Sequence, residues 1–279
     1  MLDLDAYFER IGYFGPRSAS FDVLAELQRL HPAAIPFENV NTVVGWPVPL
    51  DVPSLERKLV AGGRGGYCFE QNVLFRNVLE ALGFAVRSLA ARVVWNRGAE
   101  DAAEPLPASE LGPRTHLLLL VEHGGDVRLC DVGFGGLTLN VPLALEPGRE
   151  QRGPLETFRL VERADGELAL QAHVADGWRS LYRFTLEPQL PPDIELMNHY
   201  IVTHPSSPMR TTLMAARCTA DGRYALRDNE LTVRPASGGG ERRKLSSAAE
   251  LRRALEGTFG IALPGEPEVE RALERVASL

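Results

Sequence analysis

Hydrophobic and polar positions change their period along the chain. Over the first 85 or so residues the apolar positions recur at helical spacing. Leu24, Leu27 and Leu30 follow Ser20, a residue suited to an N-cap, and Leu55 and Leu59 lie four apart after Pro53-Ser54. A glycine-rich break, Gly62-Gly63-Arg64-Gly65-Gly66, precedes a further helical run of Val73, Leu74, Val78, Leu79 and Leu82, which Gly83 ends. From about Val86 the spacing becomes that of strands: Val86 to Trp95, then His116 to Val121. His123-Gly124-Gly125-Asp126 predicts a tight hairpin, with Val127 to Val132 returning. Phe158 to Val161 and Trp178 to Phe184 are further strands, and Ala-Asp-Gly at 164–166, 175–177 and 220–222 supplies turns of a meander. The tail from Ser237 opens with Gly238-Gly239-Gly240, a flexible joint. Two amphipathic helices follow, one with Leu251, Leu255 and Phe259 on its stripe, the other with Val269, Leu273 and Val276. The order is helices, a β core, then a smaller mixed region; the polar stretch from Arg97 to Pro113 is a long loop with no assigned purpose.

Composition narrows the class. The 279 residues carry 30 Lys+Arg against 37 Asp+Glu, a net charge of −7, and 44% are hydrophobic, as in a globular protein with ample chain for a core. An acidic balance disfavours a nonspecific grip on nucleic acid or an anionic membrane. Met1-Leu2-Asp3-Leu4-Asp5 has acids where a signal peptide is basic, and the longest aliphatic run, Leu117 to Val121, is far short of the roughly 20 residues that span a bilayer. The expected location is the cytoplasm. Cys68, Cys130 and Cys218 are too scattered for a disulfide framework, and no CxxC or HxxxH pair offers metal spacing.

Candidate chemistry starts at Cys68. It follows the glycines at the first turn of a helix, where unpaired N–H groups and the helix dipole favour a thiolate, although a lone cysteine also suits simple packing. The hairpin supplies context. With Gly124-Gly125 as the loop, opposed positions sum to 249, so Leu118 faces Asp131 and His116 faces Gly133. Side-chain alternation then puts His116 and Asp131 on one face as diagonal neighbours, about 7–8 Å apart by backbone. A carboxylate between Cys130 and Val132 needs a partner if buried, and an imidazole N–H suits; a solvent-facing His and Asp at a strand end satisfies the same parity. Cys68, His116 and Asp131 together form a constellation for acyl transfer, with backbone N–H groups of Cys68 and Phe69 as oxyanion donors. Cys130 points to the opposite face from Asp131. It and Cys218 read as packing residues, and His31, His123, His173, His199 and His204 as surface or satisfied histidines.

Arg64-Gly65-Gly66-Tyr67-Cys68-Phe69-Glu70-Gln71-Asn72, Thr115-His116-Leu117 and Asp131-Val132-Gly133-Phe134-Gly135-Gly136 together resemble the arylamine N-acetyltransferase family. Ile35-Pro36-Phe37-Glu38-Asn39 and the stretch 198–207 match as well, and the likeness weakens over the last 70 residues. The resemblance implies an α+β fold in three parts: a helical bundle over 1–85 bearing the nucleophile, an antiparallel β-barrel over 86–205 bearing His and Asp, and an α/β lid over 206–279. It implies a ping-pong enzyme that carries acetyl from acetyl-CoA on Cys68 to an arylamine, arylhydrazine or hydroxylamine. No bound cofactor is implied, and the oligomeric state stays open. The family triad falls on Cys68, His116 and Asp131; Phe37 and Phe134 fall beside the acceptor, or serve the core. Thr115, Gly133, Gly135 and Gly136 fall beside coenzyme A, the glycines also suiting a turn. Arg64 and Glu38 resemble a pair bracing the glycine turn. Met209 stands where family members often carry an aromatic. An amide synthase or thiol hydrolase on the same scaffold, or an inactive binding homologue, are the alternatives.

Overall fold

The computed structural model describes residues 2–95, 111–164, 166–174 and 177–279. Most of the Arg97 to Pro113 loop, and parts of the turns at 164–166 and 175–177, lie outside the described residues. The N-terminal part is built from α1 (Leu4–Ile11) and α2 (Phe21–Ala34). Ser20 caps α2 as its position predicts, Oγ accepting from the Val23 N–H at 3.3 Å. Then come β1 (Phe37–Glu38), α3 (Val40–Val44) and α4 (Val52–Leu55). The cap of α4 is Asp51, whose carboxylate accepts from the Ser54 N–H at 3.0 Å, so the helix starts one residue before Pro53. α4 runs into a π-turn, Glu56–Ala61, and the glycine break leads into α5 (Cys68–Ala81). Gly83 follows with φ +93°, the left-handed backbone expected of a helix stop.

Eight strands form one antiparallel sheet: β2 (Ala85–Val93), β3 (His116–His123), β4 (Asp126–Cys130), β5 (Leu143–Ala144), β6 (Glu150–Arg152), β7 (Thr157–Glu162), β8 (Leu168–Val174) and β9 (Gly177–Phe184). Their order is β5-β4-β3-β2-β9-β8-β7-β6, curled into a nearly closed barrel. The β3–β4 register is the one the Gly124-Gly125 loop dictates, with His123 opposite Asp126 and Leu119 opposite Cys130. The ladder stops there, so Asp131 leaves the strand just past its last pair. The unbroken aliphatic run of β3 is apolar on both faces because both are covered. Leu118 and Leu120 join Leu89, Phe158, Leu170 and Tyr182 inside the barrel, while Leu117, Leu119 and Val121 pack with Leu74, Phe75 and Val78 of α5.

α6 (Pro191–Thr203) and α7 (Pro208–Thr211) lead to β10 (Met214–Thr219), β11 (Gly222–Arg227), β12 (Glu230–Pro235) and β13 (Glu241–Lys244). These make a second sheet in the order β1-β10-β11-β12-β13. Two sequence expectations change here. Gly238-Gly239-Gly240 is the turn between paired strands β12 and β13, with φ +93° and +74° at its first two positions, and not a joint between regions. The first 85 residues are not all helical, since Phe37 and Glu38 pair with Ala216 and Ala215. α8 (Ala248–Arg253), a π-turn (Ala254–Thr258) and α9 (Pro267–Ala277) cover the far face. Their stripes, Leu251, Leu255 and Phe259 with Val269, Leu273 and Val276, are buried against Leu226 and Leu231. The fold is α+β, with helices, an antiparallel barrel and an α/β layer. No helix among the described residues is long and apolar enough to cross a membrane.

Candidate active site

Cys68 is the first residue of α5, and the turn before it is held from several sides. The Gly66 N–H donates to Pro36 O at 3.2 Å and the Glu38 N–H to Gly66 O at 3.1 Å. Gln71 Nε2 donates to Ile35 O, Pro36 O and Gly66 O at 3.2, 2.7 and 3.1 Å. A side chain at Gly65 would overlap Pro36 O, so only glycine lets these backbones approach. The Cys68 side chain is 95% buried, its Sγ 3.7 Å from Thr115 O.

His116 and Asp131 meet as the parity argument allows, with Nε2 2.7 Å from Oδ2. Nε2 faces Asp131, which leaves Nδ1 as the nitrogen for Cys68. Burial alone would push the imidazole down; the Asp131 charge and hydrogen bond, helped by Cys68, override it and bring it up to about 10. Asp131 is fully buried and its other oxygen is also used, accepting from the Gly133 N–H at 2.9 Å and from Asn72 Nδ2 at 3.1 Å. Asn72 also donates to Cys68 O at 3.2 Å and Leu117 O at 2.8 Å, and accepts from the Val132 N–H at 3.2 Å. One side chain therefore ties α5 to β3 and to the segment after β4.

These groups open onto a cleft of about 530 Å³ between the barrel and the second sheet. Cys68, His116, Phe37, Thr115, Gly133, Phe134, Gly135 and Gly136 all border it, whereas Asp131 sits behind His116. Gly133 has a further reason to lack a side chain: a Cβ there would stand 2.7 Å from Cys68 Cα and 2.9 Å from Asn72 Nδ2. Phe134 and Tyr182 pack on the His116 ring with centroids 5.2 and 4.8 Å away, and on each other at 5.2 Å. Asn39 Nδ2 and Thr42 Oγ1 hold Met209 O at 2.9 and 2.5 Å, with the Met209 side chain on the cleft wall.

The remaining candidates separate cleanly. Arg64 and Glu38 form an ion pair at 2.6 Å, off the cleft lining. His31 is buried and satisfied, its Nδ1 2.8 Å from Tyr7 Oη and its Nε2 2.6 Å from Gln71 Oε1. Cys130 and Cys218 are buried packing residues, and burial pushes both thiols up. No role for Asn72, Gln71 or Tyr182 follows from the sequence, although Gln71 and Asn72 lie within the glycine–cysteine motif. Asn72, a buried amide four residues after the cysteine on the same helix face, carries the one local signal that pointed to it.

A family model described as N-acetyltransferase matches residues 20–269. Fold and matches together define the class: the protein is an acyltransferase. The arylamine N-acetyltransferase of Mycobacterium tuberculosis H37Rv is 45% identical over 263 residues, which span 93% of this chain and 89% of that one. The structure of the Mycobacterium marinum arylamine N-acetyltransferase superposes with a TM-score of 0.90 at 38% identity, covering 99% of this chain and all of the other. The structure of that enzyme in complex with CoA gives 0.89 at 38% identity, covering 98% and 99%. The chain belongs to the arylamine N-acetyltransferase family.

Proposed function

We propose that the protein transfers acetyl from acetyl-CoA to an arylamine, arylhydrazine or hydroxylamine through an acetyl-Cys68 intermediate. The Cys68 proton resides on His116, braced by Asp131, so a thiolate–imidazolium pair stands ready and the sulfur attacks the thioester carbonyl. As the carbon–sulfur bond to coenzyme A breaks, the imidazolium returns its proton to the departing thiolate. In the second half the amine attacks acetyl-Cys68, His116 takes the amine proton, and Cys68 leaves as thiolate. The N–H groups of Cys68 and Phe69, at the start of α5, stabilise the oxyanion of each tetrahedral intermediate.

The observation that carries this reading is His116 held by the Asp131 carboxylate at 2.7 Å, with Cys68 Sγ 3.7 Å from the carbonyl oxygen of the adjacent Thr115 and both residues on the wall of one cleft. Phe37 and Phe134 offer aromatic faces to the acceptor ring. Thr115, Gly133, Gly135 and Gly136 flank the donor arm, and Arg227 and Arg234 on the same lining offer cations to the coenzyme phosphates. The division at 85/86 and 205/206, and a cytoplasmic location with thiols kept reduced, belong to the same proposal.

The test is mass spectrometry after incubation with acetyl-CoA. An acetyl group on Cys68 that is stable without amine and discharged by an arylamine is expected, with neither seen in Cys68→Ala. Acetyl-CoA turnover without amine would instead indicate a hydrolase.

A further inference from the structure

Directly behind Cys68, four charged side chains from four different segments meet out of water. Glu38 (β1) and Glu70 (α5) are 0% and 3% exposed; Arg64 (glycine turn) and Lys58 (the π-turn) are 9% and 16% exposed. Arg64 holds Glu38 Oε1 through Nη2 at 2.6 Å and donates to Asn41 Oδ1 at 3.0 Å, and Glu38 Oε2 accepts from the Val40 N–H at 2.7 Å. Glu70 is held differently. Its Oε2 accepts from the Tyr67 N–H at 3.1 Å, and its Oε1 takes Lys58 Nζ at 2.7 Å. The same ammonium lies 3.9 Å from Glu38 Oε1, so Lys58 is the group that spans both carboxylates.

The Glu70 carboxylate lies across the peptide that leads into the nucleophile. A Cβ on Gly66 would sit 2.8 Å from Glu70 Oε2, and the N–H that Glu70 captures belongs to the residue just before Cys68. Its hold fixes the orientation of the turn from which the Cys68 thiol and the first N–H groups of α5 project. A displacement of about 1 Å in such a turn is enough to cost about a hundredfold in rate. Glu70 can stay there as an anion only while its charge is matched, because it is buried beside a second carboxylate. Burial raises its carboxyl and the neighbouring Glu38 adds to that, while Lys58 opposes both. The π-turn is a local widening of the helix, a feature common at functional sites, and it carries this one lysine inward between exposed Arg57 and buried Leu59.

We propose that Lys58 is a positioning residue for acyl transfer: by matching the charge of Glu70 it keeps that carboxylate on the Tyr67 N–H and so sets the Cys68 turn. The proposal rests on Cys68 being the acyl carrier. Lys58 touches neither thiol nor cleft, and acts only through Glu70.

The titratable and charged groups around Glu70 are Lys58, Glu38 and Arg64 behind Glu38, with the Cys68 thiol two residues earlier on its own helix. With Lys58→Met, Glu70 ionises uncompensated as pH rises and turns away, whereas its protonated form, like glutamine, still offers an acceptor to Tyr67. Lys58→Met is therefore expected to slow Cys68 acetylation by acetyl-CoA (kcat/KM) about tenfold or more at pH 8 and less at pH 6. Glu70→Gln should fall only a few-fold, and Lys58→Met/Glu70→Gln should return to the Glu70→Gln rate with no pH-dependent defect. The proposal is overturned if Lys58→Met matches the wild type, if the double variant keeps the full Lys58→Met defect, or if both lysine variants lose their fold. Iodoacetamide labelling of Cys68 needs no acyl donor and should show the same pattern. Failure of wild-type Cys68 to take acetyl counts against the acyl-transfer reading, and the labelling comparison then still decides the role of Lys58.

Discussion

Asp131 accepts from His116 through one oxygen, at 2.7 Å, and from the Gly133 N–H and Asn72 Nδ2 through the other, at 2.9 and 3.1 Å. A carboxylate with only donors around it can hold one imidazole tautomer. Asp131→Asn places an amide NH2 against one of those donors and frees the tautomer. We expect kcat/KM for acetyl transfer to fall by about a thousandfold or more, with a folded protein by circular dichroism. A loss below tenfold would remove Asp131 from the mechanism.

Gly133 tests how closely the segment after β4 must approach the nucleophile. In Gly133→Ala the new Cβ starts 2.7 Å from Cys68 Cα and 2.9 Å from Asn72 Nδ2, and the former is backbone that cannot swing aside. Transfer should drop at least tenfold and Tm should fall, whereas Gly136→Ala, whose Cβ meets nothing nearer than Ala225 Cβ at 3.7 Å, should keep the Tm of the wild type. Thermal melts and acetylation assays on the pair check this.

Asn72 joins three segments through one buried amide. Asn72→Ala strands Leu117 O, the Val132 N–H and one donor position at Asp131, and unsatisfied buried groups cost about 1–3 kcal/mol each. With partial relaxation we expect about 3 kcal/mol of destabilisation in urea unfolding, together with slower alkylation of Cys68 as α5 loosens from β3. Unchanged unfolding would show that water replaces the amide.

His31 makes stability depend on pH. It is fully buried, and burial lowers its imidazole to about 4, with Gln71 opposing and Arg10 assisting. Between about pH 4 and 6.5 the unfolded chain binds a proton there that the folded chain does not. The contribution is therefore complete above the unfolded value and is lost as pH falls, reaching about 3 kcal/mol by pH 4. Urea unfolding at pH 7 and pH 4.5 should show that drop in the wild type and a shallower one in His31→Gln.

His116 has the opposite sign. Its imidazole is raised to about 10, so the stability it lends is full below its unfolded value near 6.5 and is lost as pH climbs through 10. Unfolding measured from pH 7 to pH 10 should fall more steeply in the wild type than in His116→Gln.

Much of the site was legible in the chain because its determinants are local. A two-residue glycine loop sets hairpin register, and alternation along a strand then decides which side chains share a face, so His116 and Asp131 emerged together from spacing alone. The helical period after a glycine break likewise placed Cys68 at a helix start, and Ser20 and Gly83 marked helix ends through their own backbone chemistry. Tertiary structure alone decided the rest. The two residues of β1 carry no alternation, and they become a strand only because β10, from the far end of the chain, lies beside them. Asn72 and Lys58 look like ordinary polar residues on helices until α5 is packed on β3 and the π-turn rolls the lysine inward, since what a buried amide or ammonium does depends on partners distant in sequence. Gly238–Gly240 became a hairpin turn for the same reason: strand partners, not composition, decide whether three glycines flex or fold back.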